Sequence, residues 1–191
     1  MGNFYTNITL KCPRREEIIS ELRRLRRKAF VGPTENGSTV ICDEVCDRQN
    51  PVALGELARE LSRALRCTTL SVLNHDDHIL WYQAHKDGCV VDEYDSTPGY
   101  FDAEAESSAP IGGSAGALCS ALDVAERSEQ VEPILRRPSF GEGGYSVESQ
   151  RHRDLVEALG LPAYAVGVGY NHLTGGERAA AESTAGWTRV G

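Results

Sequence analysis

The sequence predicts an α+β protein: a two-layer sandwich with a mainly antiparallel sheet, helices on one face, and a C-terminal helical extension. Three observations lead to this class. Residues 68–96 form three apolar-rich runs separated by two short turns, which predicts a three-stranded meander. The residues before this stretch follow the pattern strand, helix, strand, strand, helix. After it, apolar residues recur at helical spacing between Gly-rich breaks.

The elements before the meander follow from periodicity and turn chemistry. Predicted strands cover 3–10, 29–33 and 38–43, and predicted helices cover 14–28 and 51–66. Ile18 and Leu22 lie on one face of the first helix. Asn36-Gly37 predicts a hairpin turn, because both residues tolerate positive φ. Asn50 followed by Pro51 is typical of a helix start.

The remaining elements continue this pattern. Strands are predicted at 69–75, 78–85, 89–95 and 163–170, and helices at 114–125, 128–136 and 147–159. Trp81, in the middle of the meander, is predicted to be mostly buried. The chain then divides into a core at 1–101, a linker at 102–113, a helical subdomain with a short strand at 114–173, and a frayed tail at 174–191.

Two topologies fit this order of elements. The first six elements match the ferredoxin-like split βαβ pattern. Read from the first helix instead, the order resembles the roadblock and profilin-like arrangement. The N-terminal strand favours the first topology and the meander favours the second.

Composition limits the function. The 191 residues carry a net charge of −8, but residues 1–28 carry +5 and the rest carry −13. This mostly acidic surface argues against nucleic acid as a partner. No run of apolar residues is long enough to cross a membrane, and no export signal is evident at the start. With six scattered cysteines, the sequence therefore predicts a cytoplasmic protein with reduced thiols.

Two sets of side chains are candidate metal ligands. His75, Asp77 and His78 surround a two-residue turn, where imidazole and carboxylate groups could hold a divalent ion. The alternative is a polar hairpin tip in which the Asp residues favour turn geometry. Asp43 and Asp47 follow the third strand, and further carboxylates end the meander. If these strand ends meet, the cluster would suit a hard cation that activates water.

A basic cluster ends the first helix. It comprises Arg23, Arg24, Arg26, Arg27 and Lys28. Such crowding of like charges destabilises an isolated helix slightly, yet it occurs in an otherwise acidic chain. The cluster therefore predicts a contact with an acidic protein partner or with a second copy of this chain. The alternative is a solvated helix face.

Three stretches resemble a family of uncharacterised bacterial proteins. They are MGNFYTN at the start, DEYDSTPGYF after the meander and LGLPAYAVGVGY near the end. The resemblance covers most of the chain and implies no activity, cofactor or site.

The sequence contains no complete set of catalytic residues and no cofactor motif. It therefore favours a non-enzymatic, cytosolic bacterial protein-protein interaction or regulatory module, such as an accessory or immunity-type factor. The alternative is a metal-dependent hydrolase that uses the acidic strand ends with His75 or His78.

Overall fold

A computed structural model describes residues 2–11, 14–100, 109–175 and 186–191, and within them eight antiparallel strands form one sheet. The strands are β1 (Tyr5–Lys11), β2 (Ala29–Glu35), β3 (Ser38–Asp43), β4 (Thr68–His75), β5 (Ile79–Lys86), β6 (Cys89–Asp95), β7 (Ile111–Gly112) and β8 (Thr188–Val190). Their order across the sheet is β7-β6-β5-β4-β1-β3-β2-β8.

Six α-helices accompany this sheet in the described residues. They are α1 (Arg15–Arg24), α2 (Pro51–Leu65), α3 (Ala115–Ala121), α4 (Ser128–Arg136), α5 (Glu148–Leu159) and α6 (Tyr170–Thr174). Single 3₁₀ turns lie at Cys46–Arg48, Ala125–Arg127 and Ala163–Ala165. None of the helices in the described ranges is long and apolar enough to cross a membrane.

The N-terminal strand decides the topology. β1 lies between β3 and β4 and pairs antiparallel with both. The hairpin of β2 and β3 therefore lies on one side of β1, and the meander of β4, β5 and β6 lies on the other. With α1 and α2 as the crossovers, the first six elements form the ferredoxin-like arrangement, and the meander extends its sheet.

Helices α1 and α2 cover one face of the sheet. Ile18 and Leu22 of α1 and Leu54 of α2 are fully buried against Ile8 and Ile41 of the central strands. The helical repeat of 3.6 residues places the apolar side chains of α1 and α2 on one side of each helix, and the two-residue repeat of the strands places theirs on one face of the sheet. These two apolar surfaces pack together. The predicted α+β class with a mainly antiparallel sheet is confirmed.

The other face is covered by the C-terminal helices. Leu118 of α3, Val131 of α4 and Leu155 of α5 pack with Leu70 and Tyr82 of the meander in a second apolar cluster. The predicted helical extension thus adds a third layer to the sandwich, and its helices share a core with β4, β5 and β6.

The strand predicted at 163–170 is wrong. Ala163–Ala165 forms a 3₁₀ turn, and Tyr170 begins α6. The side-chain amide of Asn7 donates to the carbonyl oxygens of Ala165 (2.7 Å) and Val168 (2.9 Å). Because a side chain of β1 satisfies these carbonyls, the segment crosses the sheet face as a loop and joins no ladder.

The predicted linker and frayed tail also need correction at their ends. Ile111–Gly112 of the linker pairs with β6, and residues 101–108 lie outside the described residues. Thr188–Val190 of the tail pairs with β2, which would otherwise be an edge strand with unpaired backbone groups. The Arg15 guanidinium fixes this pairing, since it donates to the carbonyl oxygens of Val31, Gly32 and Gly186.

Candidate binding groove

One face of the outer meander is covered only in part, by α2. Successive residues of a strand point to opposite faces, so Leu80 and Tyr82 point into the cluster beneath α3, α4 and α5. Trp81 and Gln83 point the other way, beside α2. Their partners across the ladder with β6 are Asp95 and Glu93. We call this surface the Trp81 groove; it is bounded by α2 on one side and β7 on the other.

Three adjoining cavities form the groove, and Trp81 lines all of them. Their volumes are about 610, 500 and 240 Å³. Exposed apolar side chains border the groove: Val52 is 67% exposed, Val90 is 51% exposed and Ile111 is 56% exposed. The indole of Trp81 is partly exposed and packs against the α1/α2 core from this surface.

The prediction that Trp81 is mostly buried agrees with the structure, in which only the smaller part of the side chain is exposed. The strand alternation that buries Leu80 and Tyr82 places the indole on the opposite face, where α2 covers only part of it. Gly55 of α2 faces the Gln83 side chain, and a Cβ atom there would lie 2.5 Å from the Gln83 Oε1 atom and 4.0 Å from the Trp81 ring.

The largest of these three cavities combines aromatic walls with one carboxylate. Trp81, Tyr100 and His75 line it together with the apolar side chains of Leu73 and Ile79. Asp95 is the acidic residue among its described lining residues. The cavity thus offers three aromatic rings and, among the described residues, a single negative charge.

Asp95 is partly withdrawn from water. One carboxylate oxygen accepts a hydrogen bond of 2.9 Å from the backbone N–H of Thr97. Within the described part of the chain, Asp95 forms no ion pair. Burial raises the pKa of the Asp95 carboxyl, and the nearby negative charge of Glu148 raises it further. The fold therefore keeps this carboxylate at a site where its charge is disfavoured.

The two histidines of the predicted metal site lie in aromatic contacts at the end of the groove. His75 meets Phe4 edge-on with ring centroids 4.9 Å apart. His78 stacks on Tyr100 at 5.6 Å and lies 5.2 Å from Phe140. Both rings therefore pack against carbon-rich neighbours at the hairpin tip.

The three carboxylates of the predicted metal site have structural partners. Asp43 pairs with the Arg27 guanidinium and accepts from the backbone N–H groups of Val45 and Cys46. Asp47 accepts from the backbone N–H groups of Thr6 and Asn171. These contacts join β1, the 3₁₀ turn and α6.

Asp77 also has structural partners, since it accepts from the Asn3 side chain and from the backbone N–H of Ser149. In the described ranges, no three His, Cys, Asp or Glu side chains are grouped so that they could hold a metal ion. The structure therefore does not assemble the predicted site from His75, Asp77, His78, Asp43 and Asp47, because the fold uses the carboxylates to accept backbone hydrogen bonds.

The basic cluster is partly neutralised within the chain. Arg24 pairs with Glu21 and Glu60, Arg27 with Asp43, and Lys28 with Glu44. Arg23 and Arg26 are exposed, and no described acidic group forms an ion pair with them. Only these two cations of the predicted contact surface are available without breaking an internal pair.

Sequence reasoning missed the Trp81 groove as a site, although it named the carboxylates that end the meander. The available signal was the alternation along β5, where the face of Trp81 and Gln83 includes a polar side chain and the face of Leu80, Tyr82 and Ala84 is buried. Comparison of the chain with protein-family models, with curated proteins and with solved structures finds no match.

Proposed function

We propose that this protein is a non-enzymatic protein-protein interaction or regulatory module of the bacterial cytosol, an accessory or immunity-type factor, and that it binds its partner protein in the Trp81 groove. The observation that carries this proposal is the partly exposed indole of Trp81 on a sheet face that α2 covers only in part.

The contrast between the two faces of the meander supports a binding role. Three helices cover the face that carries Leu80 and Tyr82. The opposite face of the same strands leaves a tryptophan, three adjoining cavities and apolar border residues in contact with solvent. Contiguous exposed apolar surface bordered by polar groups is typical of protein contact sites, and tryptophan is among the residues that contribute most to binding.

The shape of the groove favours a protein segment over a small molecule. Two of the three cavities follow one another along α2, from Pro51 at its start to Glu56 and Arg59 in its middle. A small ligand is usually enclosed in one concave pocket with most of its surface buried. An open trough of this kind instead suits a helix or strand of a partner that lies beside α2.

The basic cluster provides a second surface for the same function. Arg23 and Arg26 project from the end of α1 without internal partners among the described residues. In a homodimer, these cations of one copy would meet the acidic surface of the other, and electrostatics would guide the association. The alternative partner is an unrelated acidic protein.

Site-specific cross-linking tests the proposed function. A photo-reactive benzoylphenylalanine replaces Val52 at the border of the groove, and a matched control places it at the exposed Glu129 of α4, in cells of the natural host. We expect one discrete adduct from position 52 that disappears when Trp81→Glu is added. The mass of the adduct distinguishes a second copy from another protein. No adduct from position 52, or an adduct that is equal at both positions, would contradict the proposal.

A further inference from the structure

We propose that the cavity between Trp81, Tyr100 and Asp95 receives an arginine side chain of the partner protein, with the guanidinium between the indole and the carboxylate. This inference rests on the proposed function and names the chemistry by which the groove recognises its partner.

The positions of Trp81 and Asp95 make this possible. The two residues are opposite each other in the antiparallel ladder of β5 and β6. Directly opposed side chains on one face of such a ladder have Cβ atoms about 4.5–5.5 Å apart. A cation attracted by a ring lies within about 6 Å of its centroid, so one guanidinium can contact the indole and the carboxylate together.

The charge of the cavity is complementary to a cation. The Asp95 carboxylate receives a hydrogen bond from the Thr97 N–H but no ion pair from any described residue. Glu93 lies two residues away on the same strand face and adds negative charge. A carboxylate that is already partly buried gains more binding free energy from a cation than a fully hydrated carboxylate does. Folding has already removed part of its water, so less desolvation cost remains when the cation binds.

The walls of the cavity fit arginine better than lysine. The guanidinium is planar, stacks on aromatic faces and binds a carboxylate through two parallel hydrogen bonds, whereas the ammonium of lysine is a strongly hydrated point charge. Tyr100, which is 40% exposed, supplies a second ring, and Leu73 and Ile79 supply apolar surface for the methylene stem. The cavity volume of about 610 Å³ leaves room for the residue next to the arginine.

The test uses two capped amino acids as probes: N-acetyl-arginine methylamide and its citrulline counterpart, which has nearly the same shape and no charge. Binding is followed through the indole N–H signal of Trp81 in ¹⁵N-labelled protein. The variants are Asp95→Asn, which keeps an acceptor for the Thr97 N–H, and the control Glu129→Gln on the exposed side of α4. Circular dichroism verifies that each variant is folded.

We expect the arginine probe to shift the Trp81 signal saturably with a dissociation constant of about 1 mM, and the citrulline probe to bind about tenfold more weakly. Asp95→Asn should reduce arginine binding to the citrulline level, and Glu129→Gln should leave it unchanged. Equal binding of the two probes, no binding of either, or full arginine binding by folded Asp95→Asn would overturn the inference.

The outcome is separable from that of the proposed function. If cross-linking from position 52 requires Trp81 but is unaffected by Asp95→Asn, the groove binds a protein and the arginine pocket is wrong. If the arginine probe binds as expected but no adduct forms in the host, the pocket is right and the proposed partner protein is wrong.

Discussion

Trp81 and Asp95 lie opposite each other on β5 and β6, and both side chains line the largest and the smallest cavity of the Trp81 groove. The indole is partly exposed, and no cation of the described residues pairs with the carboxylate. Their position on a sheet face that α2 covers only in part is consistent with a role in a contact surface.

The first prediction concerns the stability cost of Asp95. Burial raises the pKa of its carboxyl in the folded protein, so the charged form is penalised there relative to the unfolded chain. We expect Asp95→Asn to raise the melting temperature at neutral pH. The gain should shrink as the pH falls through the raised pKa, because the wild-type carboxyl then takes up a proton. Thermal melts across the acidic range measure this, and a lower melting temperature at neutral pH would contradict it.

The second prediction concerns Trp81 itself. Since most of the indole is buried but part of it stays exposed, we expect Trp81→Ala to lower the free energy of unfolding by about 2–3 kcal/mol, at the low end of the 3–5 kcal/mol typical of a fully buried tryptophan. Leu61→Ala, at a fully buried site of α2, serves as the control and should cost about 2–5 kcal/mol. Urea unfolding measures both, and a larger cost for Trp81→Ala than for Leu61→Ala would place the indole in the core.

The third prediction concerns the buried pair of Arg151 and Glu148. Neither side chain is exposed, and the guanidinium donates to both carboxylate oxygens at 2.7 and 3.2 Å. It also lies 4.4 Å from the ring centroid of Tyr145. Arg151→Met leaves the Glu148 charge buried without its cation, so we expect a loss of about 3–5 kcal/mol.

The double variant Arg151→Met with Glu148→Gln separates the effect of charge from that of packing. Because it removes the unpaired charge, its loss in urea unfolding should be smaller than the sum of the two single losses. Strict additivity would mean that the pair contributes no coupling energy.

The fourth prediction concerns acid stability. Burial lowers the pKa of His152 to about 3, and its ring nitrogen bonds the Tyr5 hydroxyl at 2.8 Å. Below the ordinary histidine pKa of about 6.5, the unfolded chain binds a proton that the folded chain excludes, so the free energy of unfolding falls with pH. We expect His152→Gln to flatten this fall above pH 3, and His172→Gln, at an exposed site, to leave it unchanged. Equal pH profiles for wild type and His152→Gln would show that the ring accepts a proton in the fold.

The fifth prediction separates the structural from the available cations of the basic cluster. Arg27→Gln removes the partner of Asp43, whose side chain is 1% exposed, so we expect a loss of about 2 kcal/mol or more. Arg23→Gln should change stability by less than about 0.5 kcal/mol. If the cluster supports self-association, Arg23→Gln with Arg26→Gln should lower the mass seen by light scattering at low salt. An unchanged mass would leave these two side chains as a solvated helix face.

Local features of the chain determined most of the strands, helices and turns. Asn50 accepts from the N–H groups of Val52 and Ala53 at the start of α2, as its residue type predicts. Asp76 and Asp77 both adopt positive φ in the turn between β4 and β5. These features depend on neighbours within a few positions, and such short-range preferences can be read from sequence.

Contacts between distant parts of the chain decided the rest. The carboxylates of Asp43 and Asp47 could have faced a metal, but backbone N–H groups and Arg27 bind them only because the fold brings these groups together. The strand at 163–170 failed because Asn7 captures carbonyl oxygens that lie more than 150 positions away in the chain. Neither the residues around Asp43 and Asp47 nor those of segment 163–170 carry a local pattern that predicts these distant partners.

The candidate site shows the same division. Strand periodicity alone determines that Trp81 lies on the face opposite Leu80 and Tyr82. Which of the two faces is buried depends on where α3, α4 and α5 pack, and these helices follow the meander in the chain. The sequence by itself therefore determined the strands and their alternation, and only the tertiary structure decided that α3, α4 and α5 cover one face of the meander while α2 leaves Trp81 and Asp95 partly exposed on the other.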